Sequence, residues 1–270
     1  MSRATAHAKI NLALVVGPRR RDGKHEVATV LQRIDLADEL ELDPAPSLLV
    51  VGFPDDTLVT AALEALAEAV GVPPGWRVHL EKRIPVAAGL GGGSSDAAAA
   101  LRLANTTLPA PLSPAELEQI AATIGADVPF FLRSGTQLGT GDGTDLRALE
   151  LPRGYHLLLV LSHGHTKRST AGVYRAFDER GGERGFEDRR ALLMEALESV
   201  RAPSDLARLP RNDLASSSPL VAELERLGAF RADVSGAGPT VYALFDDDDA
   251  AKRAAATLAR TGRTWLTNPV

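Results

Sequence analysis

Residues 85–99 read Pro-Val-Ala-Ala-Gly-Leu-Gly-Gly-Gly-Ser-Ser-Asp-Ala-Ala-Ala, and an alanine-rich run continues to Leu103. Four glycines stand before Ser94, Ser95 and Asp96, one of which we expect to be the N-cap of a helix. Glycines let the backbone approach a ligand closely, and the free N–H groups of a helix's first turn attract anions. The stretch therefore predicts either a polyphosphate-binding loop or a plain glycine turn before a capped helix.

Two familiar nucleotide-binding motifs are excluded by this stretch. No lysine follows the glycines as a P-loop requires, and Ser94 stands where G-x-G-x-x-G needs its third glycine. Asp96 is an unfavourable neighbour for phosphate. Its carboxylate suits helix capping, a nearby metal ion or a nearby cationic side chain.

The composition of the chain argues against several classes of function. The chain has 270 residues, 44% hydrophobic and 24% charged, with a net charge of −5 and a pI near 5.7. No basic face is evident, so we expect no nucleic-acid partner. No apolar run approaches the ~20 residues that cross a bilayer, so we expect no membrane partner. The start has no apolar signal region and the chain has no cysteine, which fits a cytoplasmic enzyme without disulfides or thiolate metal sites.

The first predicted strand carries two unusual polar residues. Residues 6–16 alternate so that Ala8, Ile10, Leu12 and Leu14 share one face while Lys9 and Asn11 share the other. The pair fits either an edge strand with one wet face or a functional site.

The remaining pattern mixes short strands and helices, as an α+β protein does. A strand at 76–82 runs into the glycine loop, so the loop lies between a strand and a helix. Residues 139–145 are predicted to be a mobile polar loop. Further helices are predicted at 58–70, 114–124, 170–178, 188–200, 219–227 and 250–259, and further strands at 38–42, 47–51, 155–161, 229–234, 240–245 and 263–267.

Three other features could carry chemistry. Asp127 lies among apolar residues in Gly-Ala-Asp-Val-Pro-Phe-Phe, where a carboxylate needs a partner, and it is the general-base candidate. Residues 235–240 form a second glycine turn that is either a β-turn or part of a ligand site. His163 and His165 lack a third ligand nearby, so we predict loop residues and no protein metal site.

The motifs together identify a family. Pro-x-x-x-Gly-Leu-Gly-Gly-Gly-Ser-Ser resembles the phosphate-binding motif of the GHMP kinases, and the form with Ser-Ser-Asp-Ala-Ala-Ala is most similar to the 4-diphosphocytidyl-2-C-methyl-D-erythritol kinases. Ala-Lys-Ile-Asn-Leu at 8–12, the Asp127 segment and the turn at 235–240 resemble further motifs of that family. The resemblance runs from about residue 6 to 245 in the expected order.

This resemblance implies an architecture. We expect a two-domain GHMP kinase fold of the α+β class. Residues 1–152 would form an N-terminal domain like domain 2 of ribosomal protein S5, with a left-handed βαβ crossover. Residues 153–270 would form a C-terminal ferredoxin-like sandwich, with ATP in the cleft between the two domains.

The resemblance also implies an activity, which is ATP-dependent phosphorylation of the 2-hydroxyl of 4-diphosphocytidyl-2-C-methyl-D-erythritol in non-mevalonate isoprenoid synthesis. Mg²⁺ would arrive with ATP, and the protein would be a monomer or homodimer. By the same resemblance Lys9 and Asp127 form the catalytic pair. ATP would be bound by Lys82, Pro85, Val86, Ala87, Ala88, Gly89, Leu90, Gly91, Gly92, Gly93, Ser94 and Ser95. The substrate would be bound by Asn11, Lys24, His25, Tyr174, Gly236 and Gly238.

One departure from the family keeps alternatives open. Lys24 stands where the family usually has an aromatic residue that stacks on cytosine. A GHMP kinase for another small alcohol, such as mevalonate or homoserine, is therefore one alternative. A nucleotide-binding regulator without catalysis is the other, and the presence of both Lys9 and Asp127 argues against it.

Overall fold

The computed structural model describes residues 2–53, 57–163, 169–215 and 218–270. The elements mix strands and helices, which confirms the predicted α+β class. The strands are β1 Ser2–Arg19, β2 His25–Pro44, β3 Leu49–Val51, β4 Trp76–Glu81, β5 Thr136–Thr140, β6 Asp145–Leu149, β7 His156–Ser162, β8 Arg231–Val234, β9 Val241–Phe245 and β10 Gly262–Thr267. The helices are α1 Leu58–Val70, α2 Gly92–Thr106, α3 Pro114–Ile124, α4 Val128–Leu132, α5 Thr170–Glu179, α6 Phe186–Ser199, α7 Pro219–Arg226 and α8 Asp248–Leu258, with a 3₁₀ helix at Pro203–Arg208.

The chain forms two compact units, each assembled from separate segments. The first unit contains Met1–Ala8, Leu36–Val86 and Gly91–Ser134, and the second contains Lys9–Asp35, Ala87–Leu90 and Gly135–Val270. Because the segments interleave along the chain, these units do not test the predicted domain boundary after residue 152. That boundary stays a prediction.

The first unit contains a parallel βαβ motif covered by helices. Strands β3 and β4 pair in parallel on either side of α1, and the second half of β2 pairs antiparallel with β4. Helices α1 to α4 pack against one another. The predicted end of α1 is confirmed at Gly71, which takes the left-handed φ of 69°. The predicted start of α3 is also confirmed, with a Ser113–Glu116 capping box and Pro114 in the first turn.

The second unit is built around an antiparallel sheet of four strands in the order β10-β7-β9-β8. Helices α7 and α8 pack on it through a core that includes Leu158, Val160, Leu224 and Phe245. The first half of β2 pairs with β5, and β5 pairs with β6.

One prediction about local structure was wrong and another was confirmed with different bounds. Residues 139–145 are not a loop: residues 139, 140 and 145 belong to β5 and β6, Thr140 pairs with Asp145, and residues 141–144 make the tight hairpin turn, where the glycines at 141 and 143 adopt positive φ. The predicted strand at 38–42 is confirmed as part of a longer strand, β2, which no glycine or proline interrupts between His25 and Asp43.

Among the described residues, no helix is long and apolar enough to cross a membrane.

Candidate active site

The glycine loop leaves β4 and enters α2, as the sequence predicted. Helix α2 begins at Gly92, and its N-cap is Gly91 with a left-handed φ of 70°. The prediction that Ser94, Ser95 or Asp96 would be the N-cap was therefore wrong. Glycine takes the cap because only it adopts this φ without strain, and the two serines lie in the first turn instead. The backbone N–H of Ser94 belongs to the helix end that favours an anion, whereas that of Ser95 donates to the carbonyl of Gly91 at 2.9 Å.

Lys82 precedes the loop in the first unit. Its ammonium group donates to Asp38 Oδ2 and Asp96 Oδ2, each at 2.5 Å. Both carboxylates are fully buried, and the Lys82 side chain is 14% exposed. Burial opposes the charged form of Lys82, but the attraction of Asp96 and the hydrogen bonds to both carboxylates raise its pKa. Of the three settings expected for Asp96, the structure shows the nearby cationic side chain.

Lys9 and Asn11 lie together in the second unit, on one face of β1 as predicted. Lys9 Nζ donates to Asn11 Oδ1 at 2.5 Å, and Asn11 Nδ2 donates to Thr29 Oγ1 at 2.8 Å. Thr29 Oγ1 in turn donates to the carbonyl of Ala13 at 2.8 Å. Lys9 and Asn11 are buried, at 3% and 4% exposed. This is a directed chain of hydrogen bonds that holds a buried ammonium group, not a wet edge strand.

The middle of the glycine loop packs between β1 and the turn at 235–240, also within the second unit. The Lys9 N–H donates to the carbonyl of Leu90 at 2.9 Å, and Ser235 Oγ donates to the carbonyl of Gly89 at 2.8 Å. A Cβ on Gly238 would lie 2.3 Å from the Ala88 carbonyl, so only glycine fits there.

The second glycine turn also reaches the polar pair on β1. A Cβ on Gly236 would lie 3.2 Å from Asn11 Oδ1 and 3.3 Å from Lys9 Nζ. Asn212 Nδ2 donates to the carbonyls of Val234 and Gly236, at 2.9 and 2.7 Å, and so fixes the turn. Within the second unit, Lys9, Asn11 and Gly236 thus lie together with residues 88–90 of the loop, and the turn is part of that cluster.

A second cluster lies at the start of β2. His25 Nε2 is 2.7 Å from Asp178 Oδ1, and the His25 ring lies 4.8 Å from the ring of Tyr174 and 6.1 Å from that of Phe177. The three partners share one face of α5 because they are three and four residues apart. His25 and Tyr174, both predicted to bind substrate, are therefore neighbours.

Lys24, which replaces the expected aromatic residue, has an ionic partner. Its ammonium group donates to Asp142 Oδ2 at 2.5 Å, in the hairpin that connects β5 and β6. The Lys24 side chain is 49% exposed. The sequence indicated no partner for Lys24, since Asp142 lies more than a hundred residues away in a segment that was predicted to be mobile.

Asp127 lies in the first unit, between the end of α3 and the start of α4. It is half-buried and carries φ and ψ of −85° and −14°, just before Pro129 in the first turn of α4. Lys9 belongs to the second unit, so their pairing stays a prediction based on family resemblance.

Several residues of these clusters were not found from the sequence, namely Asp38, Thr29, Asp142 and Asp178. Each lies far along the chain from the side chain that it contacts, and none belongs to a recognisable motif. A carboxylate inside the apolar strand β2 was a usable signal for Asp38, because a buried charge needs a partner.

In the described part of the chain, no group of three or more His, Cys, Asp or Glu side chains could hold a metal ion. His165 lies outside the described residues, so the prediction for the His163–His165 pair is not tested. Ser94 and Ser95 offer hydroxyl oxygens in the first turn of α2, which suits a Mg²⁺ ion held mainly by phosphate and water.

Comparison with known proteins gives a consistent answer. Residues 57–135 match the GHMP kinases N terminal domain and residues 215–264 match the GHMP kinases C terminal model. The 4-diphosphocytidyl-2-C-methyl-D-erythritol kinase of Geobacter sulfurreducens is 38% identical over 97% of this chain and 95% of that protein. The chain belongs to the 4-diphosphocytidyl-2-C-methyl-D-erythritol kinases of the GHMP kinase family.

Solved structures agree with this GHMP kinase assignment. A crystal structure of a 4-(cytidine 5′-diphospho)-2C-methyl-D-erythritol kinase matches with a TM-score of 0.78 and 34% identity over 99% of both chains. A mevalonate kinase structure matches with the same TM-score of 0.78 but only 15% identity, so it shows a shared fold alone. The predicted two-domain GHMP kinase fold is confirmed.

Proposed function

We propose that this chain transfers the γ-phosphoryl group of ATP to the 2-hydroxyl of 4-diphosphocytidyl-2-C-methyl-D-erythritol, in non-mevalonate isoprenoid precursor synthesis. The observation that carries this proposal is the 38% identity, over 97% of this chain, with a kinase of that name. The proposal is supported by the family's motifs in this chain and by two hydrogen bonds of Lys9, from its backbone N–H to the carbonyl of Leu90 in the glycine loop and from its ammonium group to Asn11.

The glycine loop is the proposed cradle for the triphosphate. Residues 85–95 combine glycine backbone at positive φ with the N-terminal N–H groups of α2, and this combination favours an anion. The exposed part of the loop is Val86 and Ala87, with Val86 at 59% exposed. Phosphoryl transfer depends on positioning and charge stabilisation, so a rigid set of N–H donors is the main requirement.

Asp127 is the proposed general base. Its carboxylate takes the proton of the 2-hydroxyl, the hydroxyl oxygen forms a bond to the γ-phosphorus, and the bond from that phosphorus to the bridging oxygen of ADP breaks. Lys9 stabilises the negative charge that develops on the phosphoryl oxygens. Its hydrogen bond to Asn11 restricts the rotation of its long side chain, which reduces the entropy cost of this role.

Mg²⁺ neutralises phosphate charge in phosphoryl transfer when it is bound with the nucleotide. Ser94 or Ser95 would supply one oxygen ligand, and the remaining ligands would come from ATP and water. Asp96 is less suited to this role, because its Oδ2 accepts from Lys82.

The cytidyl end of the substrate is assigned to His25, Tyr174 and Lys24. His25 Nε2 lies 2.7 Å from Asp178 Oδ1, and in the tautomer that donates from Nε2 to this carboxylate the Nδ1 atom is left as an acceptor. The amino group of cytosine is a donor that could pair with it. Lys24 stands in place of an aromatic wall, and because its ammonium group donates to Asp142, its alkyl stem is the part that would cover a face of the ring.

Measuring ADP release by the purified protein with Mg-ATP, with the cytidyl alcohol beside mevalonate and homoserine, tests the proposal. We expect turnover with the cytidyl alcohol alone. Turnover with mevalonate or homoserine would support the alternative of a GHMP kinase for another alcohol. ATP binding without turnover of any alcohol would support the regulatory alternative. A cytoplasmic location and a monomeric or homodimeric state remain predictions.

A further inference from the structure

We infer that Asp38, Lys82 and Asp96 form a clamp that fixes the two ends of the glycine loop relative to each other. The entry of the loop is the segment directly before Pro85, and its exit is the start of α2. Lys82 is then a positioning residue for the loop and not a free positive charge for the phosphates of ATP. This inference rests on the proposed binding of ATP at the loop, and it changes the role that family resemblance assigned to Lys82.

The first observation is how completely the ammonium group of Lys82 is engaged. It donates to two fully buried carboxylates at 2.5 Å each, one on β2 and one on α2. Lys82 itself follows the last residue of β4. One side chain therefore joins three elements that are separate in the sequence.

The second observation concerns the entry of the loop. Asp38 Oδ1 accepts from the backbone N–H of Arg83 at 2.5 Å and from that of Ile84 at 2.8 Å. The two residues directly before Pro85 are thereby bound to β2. The same carboxylate uses its other oxygen for Lys82, so the backbone entering the loop and the Lys82 side chain share one anchor.

The third observation concerns the exit. Asp96 lies in the second turn of α2, four residues after Gly92. A Cβ on Gly92 would lie 3.0 Å from Ile84 Cγ2 and 3.4 Å from Lys82 Nζ, so the first turn of α2 packs directly on the entry segment. Glycine at this position permits the close approach, and the ion pair with Asp96 maintains it.

The charges of the cluster oppose a direct role for Lys82. One ammonium group faces two carboxylates, so the three groups together are negative and do not attract a polyphosphate through space. Removing one carboxylate should therefore strengthen ATP binding if only charge matters. The same substitution should weaken ATP binding if the clamp sets the positions of the loop N–H donors. The two models predict opposite changes in the affinity for ATP, so one affinity measurement distinguishes them.

The test is the dissociation constant of ATP for Asp96→Asn and Asp38→Asn, measured by calorimetry on the full chain. Glu64→Gln is the matched control, because Glu64 is exposed on α1 and the change of charge is the same. We expect both buried variants to bind ATP about 10-fold or more weakly, with the KM of the alcohol substrate unchanged and the control at the wild-type value. Tighter or unchanged ATP binding in the folded variants would overturn the clamp.

A second measurement needs no variant and applies if neither substitution yields a folded protein. In the wild-type protein without ATP, the clamp predicts slow hydrogen exchange at the amides of Arg83 and Ile84, because both are bonded to a buried carboxylate. Fast exchange there would overturn the proposal. The first test measures ATP binding and the second uses the protein without ATP, so neither needs the alcohol substrate. Both tests therefore give a valid result even if the proposed alcohol specificity is wrong.

Discussion

Both the backbone and the side chain of Lys9 are fixed by hydrogen bonds. The N–H of Lys9 donates to Leu90 and its ammonium group donates to Asn11, so both the strand and the charge are fixed beside the glycine loop. Burial of an ammonium group is costly unless such partners exist. Donors that are already positioned before the reaction suit a group that stabilises charge in the transition state, which is the role proposed for Lys9.

Thr29 is expected to act on Lys9 through Asn11. The substitution Thr29→Val keeps the side-chain shape but removes the hydroxyl that accepts from Asn11, so the amide loses its orientation. A lost hydrogen bond of about 0.5–1.5 kcal/mol should lower kcat about 2- to 13-fold. Steady-state kinetics checks this, with Thr29→Ser as the variant that keeps the hydroxyl. Equal kcat for Thr29→Val and wild type would contradict the role.

Asp127→Asn tests the proposed general base. An amide cannot take the proton of the 2-hydroxyl, so turnover should fall about 10²- to 10⁴-fold, while ATP binding changes little. The measurements are ADP release and ATP affinity, with the exposed Glu68→Gln as a control. Wild-type turnover in Asp127→Asn would remove Asp127 from the mechanism, and loss of ATP binding would move it to the nucleotide site.

The hairpin formed by β5 and β6 depends on one carboxylate in its turn. Asp142 Oδ1 accepts from the hydroxyl of Thr144 at 2.6 Å, and its other oxygen accepts from Lys24. Burial alone would raise the pKa of Asp142, but these hydrogen bonds lower it to about 2 from the usual 3.8. The ionised form is therefore favoured in the folded protein.

The pH dependence of stability follows from that depressed pKa. The contribution of Asp142 is fully present above its unfolded pKa near 3.8 and is lost as the pH falls through about 2. With a discount for the exposure of Lys24, Asp142→Asn should lower the free energy of unfolding by about 1–2 kcal/mol at pH 6. Urea unfolding between pH 6 and 3 should show this difference shrinking toward the acid end. A difference that is independent of pH would contradict the assignment.

At the scale of the whole chain, distant segments are joined by a buried arginine. Arg231 on β8 is 2% exposed and donates to the carbonyls of Leu12 on β1 and Leu209, each at 2.7 Å. It also pairs with buried Asp233, whose pKa is raised by burial although the guanidinium opposes this. These contacts span more than two hundred residues of sequence within the second unit.

Arg231→Met should destabilise the fold strongly. It leaves the Asp233 carboxylate buried without its cation and several carbonyls without a donor, which typically costs about 3–5 kcal/mol. Chemical denaturation gives the free energy of unfolding, and Arg253→Met is a matched control because its side chain is 71% exposed. We expect the control to stay within about 0.5 kcal/mol of wild type. A similarly small change for Arg231→Met would mean that solvent enters the site.

Local signals in the sequence predicted most of the elements. The capping box at Ser113, the glycine after α1 and the alternation of β1 depend on interactions between residues a few positions apart, which a sequence displays directly. The errors have a local cause as well. Gly91 took the cap in place of a serine or aspartate, and the glycines at 141 and 143 served a tight turn rather than a mobile loop.

The sequence alone determined the family, the α+β class and the motif residues on β1, in the glycine loop and at Asp127, because those patterns are short and contiguous. Only the tertiary structure decided that Lys82 is engaged by Asp38 and Asp96, that Lys24 faces Asp142 and that His25 is held by Asp178. The physical reason is that a charge interacts with whatever the fold brings within a few ångströms, and separation along the chain does not determine that distance.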